Sequence, residues 1–165
     1  MHAALAAAST FTPELAFRIA AGDSDARVIA LNEAVVLADP AVVPFVQSLL
    51  ADEVKVAAGK AYLVRGSQVS VAGSTPVQVT PALPEGAEDV VNNNRMRGAL
   101  QAVQASMKLL SPELAVRQAA VAELAKAGVD ESQLPLLEQA VQAEPDATLK
   151  ATLERLRAGV RLASA

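Results

Sequence analysis

Cysteine and tryptophan are absent, and the single histidine stands at position 2. Without thiols the chain can form no disulfide, no thiolate zinc site and no cysteine nucleophile, and one imidazole at the chain start argues against histidine catalysis or a multi-histidine metal site. Aromatic residues make up only 2% of the chain, too few for the stacking platforms of single-stranded nucleic-acid binders. Lys plus Arg number 14 and Asp plus Glu 18, a net charge of −4. That balance gives no general attraction to nucleic acid or anionic lipid. A long apolar run is also lacking. The longest charge-free stretch, 66–84, is rich in Gly, Ser, Thr, Gln and Pro, whereas a spanning helix needs roughly 20 mostly apolar residues. The opening MHAALAAAS has neither a basic n-region nor a long apolar segment, so it is not an intact signal peptide. No GxGxxG, GxxxxGK[ST], HExxH or GxSxG pattern occurs, and an enzyme is not expected.

What remains is abundant and small. Ala (36), Val (21) and Leu (20) dominate an apolar fraction of 52% in 165 residues, the composition of closely packed helices in a single soluble domain, 1–165. Three zones follow one another: helical periodicity over 12–51, strand and turn composition over 53–84, and helical periodicity again over 88–163. In the first zone Thr12-Pro13 reads as N-cap and first helical residue, with Gly22 closing the helix. Ser24 is expected to cap a second helix with the stripe Val28, Leu31, Val35 and Leu37, which Asp39-Pro40 ends. A third helix carries Val42, Phe45, Val46, Leu49 and Leu50 inward, with Pro44 in its first turn.

The middle zone has period 2. Tyr62 and Val64, Val69 and Val71, and Val77 and Val79 predict half-buried strands of a small antiparallel meander over about 54–80. Pro81, Pro84 and Gly86 form a stiff return. A long helix is expected over about 93–110, with Met96, Leu100, Val103, Met107 and Leu110 on one face. Ser111-Pro112, Ser132 and Pro145-Asp146 predict three further helix starts, and Gly128 one stop.

Residues 25–50 and 114–141 resemble each other. Each has Arg in its first turn, a stripe of small apolar residues, a polar break, then Pro and a Leu/Val-rich helix; Arg27 precedes Pro44 by 17 residues and Arg117 precedes Pro135 by 18. The expected fold class is therefore mainly α, with HEAT-like helical hairpins and a small antiparallel β insert. Arg27 and Arg117 are expected to bury their stems and pair with a neighbouring helix.

Candidate chemistry is sparse. Asp52-Glu53 and Glu88-Asp89 are acidic pairs, better suited to solvated caps and turns than to acid–base catalysis. Asp23, Asp25 and Asn32 lack EF-hand spacing, so helix capping accounts for the aspartates. The sharpest local feature is Asn92-Asn93-Asn94-Arg95-Met96-Arg97. Its amides can cap a helix and bind the returning backbone, while Arg95 and Arg97 can pair with Glu85, Glu88 or Asp89. The functional alternative is a polar docking surface, since amides and guanidinium groups recognise carboxylates and amides. Candidate partner contacts are therefore Asn93, Asn94, Arg95 and Arg97, joined by Tyr62 and Arg65 on the β insert. No catalytic residue, metal site or cofactor is expected.

Four stretches together resemble one family: GDSDARVIALNEAV (22–35), LLADEVKVAAGKAYLV (49–64), EDVVNNNRMRGALQA (88–102) and LLSPELAVRQAAVAELAKA (109–127). The combination, over roughly 20–158, is similar to the N-terminal extramembrane region of the permease subunit of bacterial urea ABC transporters, in the branched-chain amino-acid permease class. The insert running into VVNNNRMR is its specific part. The resemblance implies a non-catalytic domain on the periplasmic side of the inner membrane, excised from a longer protein with a leader before it and membrane spans after it. It would contact the solute-binding protein or other transporter subunits. The alternative is a free-standing HEAT-like adaptor for an unrelated protein.

Overall fold

The computed structural model describes residues 10–165 except 38, 75 and 130, and omits the side chain of Ser132. Among these residues the chain is mainly helical, with seven α-helices and one five-stranded antiparallel sheet. None of its helices is long and apolar enough to cross a membrane. Two compact units form, one ending at Leu100 and the other starting at Gln101.

The first unit opens with α1 (Pro13–Ala20), α2 (Ser24–Leu37) and α3 (Val42–Leu50). Thr12 caps α1 by accepting the Leu15 amide at 3.2 Å, with Pro13 at the first position. Asp23, rather than Ser24, caps α2: its carboxylate accepts the Ala26 amide at 2.8 Å, so the helix starts one residue earlier than the serine implied. The buried stripe of α2 is Arg27, Ala30, Leu31, Ala34 and Val35, with Val28 only half-buried. On α3, Val42, Phe45, Val46 and Leu49 are buried, and the Phe45 ring lies 5.2 Å from that of Phe11.

The sheet comprises β1 (Val54–Ala57), β2 (Lys60–Arg65), β3 (Gln68–Val71), β4 (Gln78–Thr80) and β5 (Glu88–Asp89), in the order β4-β3-β2-β1-β5. Four strands are the expected meander. The fifth corrects the sequence reading, which took 88 onward as helical. The return through 81–87 instead brings Glu88 and Asp89 alongside Val56 and Lys55, where the outer edge of β1 offers free backbone groups. Antiparallel register puts Tyr62 opposite Val71 and Val64 opposite Val69, so they share a face. There Ala57, Tyr62, Val69 and Val71 form a small core closed by Leu83 and Ala87. Val54 and Ala61, on the other face, are buried too, and α1 packs against β1 and β2. Of the expected pair Val77 and Val79, only Val79 lies in a strand, the edge strand β4, with Val77 just before it, and both are exposed.

Helix α4 (Asn94–Met107) begins in the first unit and ends in the second, where Lys108–Leu110 tighten into a 3₁₀ turn. The second unit continues with α5 (Leu114–Ala127), α6 (Leu134–Ala143) and α7 (Ala147–Ala163), and α7 packs against both α5 and α6. Its core gathers Leu109, Ala120, Val121, Leu124, Leu137, Ala140, Val141, Leu149, Leu153 and Val160. Two expected starts shift. Glu113, not Ser111, is the N-cap position of α5, with the Ser111 hydroxyl accepting the Glu113 amide at 3.2 Å. Gln133 holds that position for α6, with Pro135 in its first turn; the cap expected at Ser132 concerns a side chain outside the described residues. Asp146 caps α7, accepting the Leu149 amide at 2.8 Å.

Candidate functional site

The end of α3, the start of β1 and the segment entering α4 converge in the first unit. Asp52 closes α3 in the left-handed region, at φ 58°. Its amide donates to the Leu49 carbonyl at 3.3 Å and that of Glu53 to the Ser48 carbonyl at 2.9 Å, a Schellman ending with aspartate where glycine is usual. The turn displays the two acidic side chains of Asp52 and Glu53 side by side, and each takes an arginine. Arg97 from α4 reaches Asp52 at 3.3 and 3.4 Å. Arg65 from β2 donates to Glu53 at 3.2 Å and to the buried Ser48 hydroxyl at 2.7 Å. Beside them Lys55 donates to Asp89 at 2.7 Å.

Beside Asp52 and Arg97 lies an open groove of about 320 Å³ lined by Asp52, Val54, Asp89, Val90, Val91, Asn92 and Arg97. Val91 is 80% exposed, an apolar side chain held out among charges.

What fixes the groove is a buried polar knot. Arg27 is 4% exposed and has no carboxylate partner among the described residues. Its Nε donates to the Ile19 carbonyl at 2.7 Å, Nη1 to the Val91 carbonyl at 2.9 Å and Nη2 to Asn92 Oδ1 at 2.5 Å. Asn92 Nδ2 donates in turn to the Leu49 carbonyl at 3.0 Å. Helix C-termini carry partial negative charge, so the end of α1 supplies a dipole in place of an anion, while Asn92 links the guanidinium to the end of α3. Burial lowers the Arg27 pKa from its ordinary value, yet a guanidinium stays charged. The knot ties α1, α2, α3 and the 91–92 backbone together.

The candidate contacts fall in different places. Asn93 caps α4: its Oδ1 accepts the Met96 amide at 2.8 Å and its Nδ2 donates to Ser24 Oγ at 2.6 Å. Asn94 is exposed, with no side-chain hydrogen bond among the described residues. Arg95 pairs with Asp25. Neither Arg95 nor Arg97 takes Glu85, Glu88 or Asp89, the acids nearest in sequence; the fold presents Asp25 and Asp52 instead. Tyr62 is 5% exposed inside the sheet's small core, so its ring is not presented to a partner. Arg65 and Arg97 share one junction, and Arg95 lies beside the start of α2. Sequence reasoning missed Asp52 as a site residue and Asn92 as the buried member of the Asn run. The run itself was visible, but not which amide the fold would bury.

Arg117 repeats part of the Arg27 arrangement in the second unit. Its Nε and Nη2 engage Glu144 at 2.8 and 3.2 Å, and its Nη1 donates to the Ser111 carbonyl at 2.9 Å. Both arginines reach back to an upstream carbonyl, that of Ile19 within α1 for Arg27 and that of Ser111 before α5 for Arg117. Arg117 also pairs with a residue at the end of α6, as its repeat position suggested; Arg27 uses carbonyls and an amide. Among the described residues no group of three or more potential metal-ligating His, Cys, Asp or Glu side chains assembles. No protein-family model, curated protein or solved structure matches the chain.

Proposed function

We propose that this chain is a non-catalytic interaction domain of a urea-type ABC transporter permease, acting on the periplasmic side of the bacterial inner membrane. It would dock the solute-binding protein or another transporter subunit. One observation carries the reading: the most specific part of the family resemblance, EDVVNNNRMR (88–97), is also the stretch that supplies Asp89, Val90, Val91, Asn92 and Arg97 to the groove. A helical repeat alone needs neither the exposed valine nor the charged rim. Exposed ion pairs contribute little to stability, so this rim is free to serve recognition, setting encounter rate and orientation.

The test is binding of the purified chain to the cognate solute-binding protein and permease subunits, measured by calorimetry. Weak, micromolar association is expected. Arg97→Ala should weaken it by about threefold to tenfold, and Val91→Asp by more. Arg65→Ala addresses the other side of the junction. No association with any transporter component would overturn the proposal in favour of a free-standing adaptor. Unchanged binding by all three variants would place the interface elsewhere on the chain.

A further inference from the structure

The two edges of the sheet are guarded unequally. β5 closes one side with the exposed acids Glu88 and Asp89, and charge is a common protection of a sheet edge. β4 closes the other side with Gln78, Val79 and Thr80, inside the stretch 66–84 that carries no charge. There Val77 and Val79 are 70% and 57% exposed. The ladder fixes where this edge points its backbone. Ala72 N–H donates to the Ala61 carbonyl at 2.9 Å, and bonded pairs alternate along an antiparallel ladder, so Ser70 faces Leu63 across β2 and β3. Val69 and Val71 therefore face β4, opposite Thr80 and Gln78, and Val79 between them turns its N–H and C=O away from the sheet. The Gln78 amide donates to Ser74 Oγ, which donates to the Val71 carbonyl of β3, both at 2.8 Å. The Val77 carbonyl lies on the opposite side of that peptide plane and points outward too.

We propose that the β4 edge pairs antiparallel with the β4 edge of a second copy of this chain, about a two-fold axis at Gln78. The Val79 amide of each copy donates to the Val77 carbonyl of the other. In this register Val77 stands opposite Val79 of the second copy, so the valines of both copies cover one another on one face. The two Gln78 side chains, each donor and acceptor, meet on the other face. Pro76 and Pro81 bound the run, because proline supplies no N–H to a longer ladder. Charge favours a second copy as the occupant. The chain carries −4 overall, and the uncharged stretch lets two copies meet with no like charges opposed. At the far edges of the doubled sheet the acids of β5 oppose further addition, so the contact closes as a dimer. None of these residues lines the groove assigned to docking, and the two surfaces are tested separately.

Sedimentation equilibrium of the full chain, with hydrogen exchange at several concentrations, decides it. So short an edge buries less than the roughly 1,200 Å² of standard interfaces, so dimer should appear only towards about 0.1–1 mM. Val79→Lys places a charge at an exposed position, and Val79→Pro deletes the outward N–H while leaving the bonds to β3; each should weaken the dimer by about tenfold or more. As concentration rises the Val79 amide should gain protection, whereas the Val69 amide, bonded inside the sheet, should not change. A chain that stays monomeric throughout, a dimer indifferent to both Val79 variants, or protection gained at Glu88 and Asp89 instead of Val79 would each overturn the proposal.

Discussion

The Arg27–Asn92 knot invites a quantitative test. Asn92→Ala removes the acceptor of a charged donor and the donor to the Leu49 carbonyl, two buried hydrogen bonds. A bond to a charged group contributes about 1.5–3 kcal/mol and a neutral one about 0.5–1.5, so the substitution should cost about 2–4 kcal/mol. The loss arises chiefly from stranding a buried guanidinium N–H, since the Leu49 carbonyl keeps the Asp52 amide. Arg27→Met should relieve part of it, because an apolar side chain of similar length makes no demand on Asn92. The double variant should therefore be more stable than the sum of the single losses by about 1.5 kcal/mol or more. Because the chain has two compact units, a global melt can blend two transitions. Hydrogen exchange at Ala61 and Leu100 reports on the first unit directly. Strictly additive single losses, or an Asn92→Ala effect below about 1 kcal/mol, would refute the claim that carbonyl dipoles and one amide hold this buried cation.

Other outcomes follow from single positions. The β1–β2 turn sets Ala58 at φ 50° before Gly59 at φ 74°, a type I′ geometry that favours Asn-Gly, so Ala58→Asn should stabilise by about 0.5–1 kcal/mol in chemical denaturation. Gly73 has φ 80°, and a Cβ there would lie 2.4 Å from the Thr12 carbonyl oxygen; Gly73→Ala should cost about 2 kcal/mol or more by the same assay. Leu100 is fully buried on α4, and Leu100→Ala should cost about 2–5 kcal/mol. The hydrogen bond from Arg18 lowers the Glu33 pKa, against an opposing desolvation, and the Arg18 charge adds to the lowering. A lowered folded-state value means that this pair stabilises above the ordinary glutamate range and loses its effect as pH falls through the folded value. In an NMR titration Arg18→Ala should move the Glu33 midpoint upward, and added salt should shrink the difference.

Local chemistry made much of the fold legible. Helical spacing located most buried residues of α3, α4 and α7, although Leu50, Met107, Leu110 and Leu156 are only half-buried and Leu109 rather than Leu110 is in the core; Thr12, Asp146 and the Asn93 stretch marked helix starts because a side-chain oxygen must satisfy free amides there. The period-2 valines located β2 and β3. The failures are as local in origin. Two acidic residues carry no period, so β5 was invisible, and its strand exists because β1 had an unpaired edge beside it. Tyr62 looked available because alternation gives a side chain's face but not what covers that face; Leu83 and Ala87 cover it.

The same division runs through the candidate site. The Asn-Arg run and the acidic pair Asp52-Glu53 stand out by composition alone. Their pairing does not, since a charge takes whichever partner the backbone brings within reach, and Asp52 precedes Arg97 by 45 residues. Sequence by itself determined the helices, the meander strands and which side chains prefer burial, because those preferences act within a few residues. Only the tertiary structure decided that Arg27 would be buried without a carboxylate, that Asn92 would be the amide to meet it, and that Val91 would be left facing solvent, because each outcome depends on where distant helix ends and strand edges come to rest.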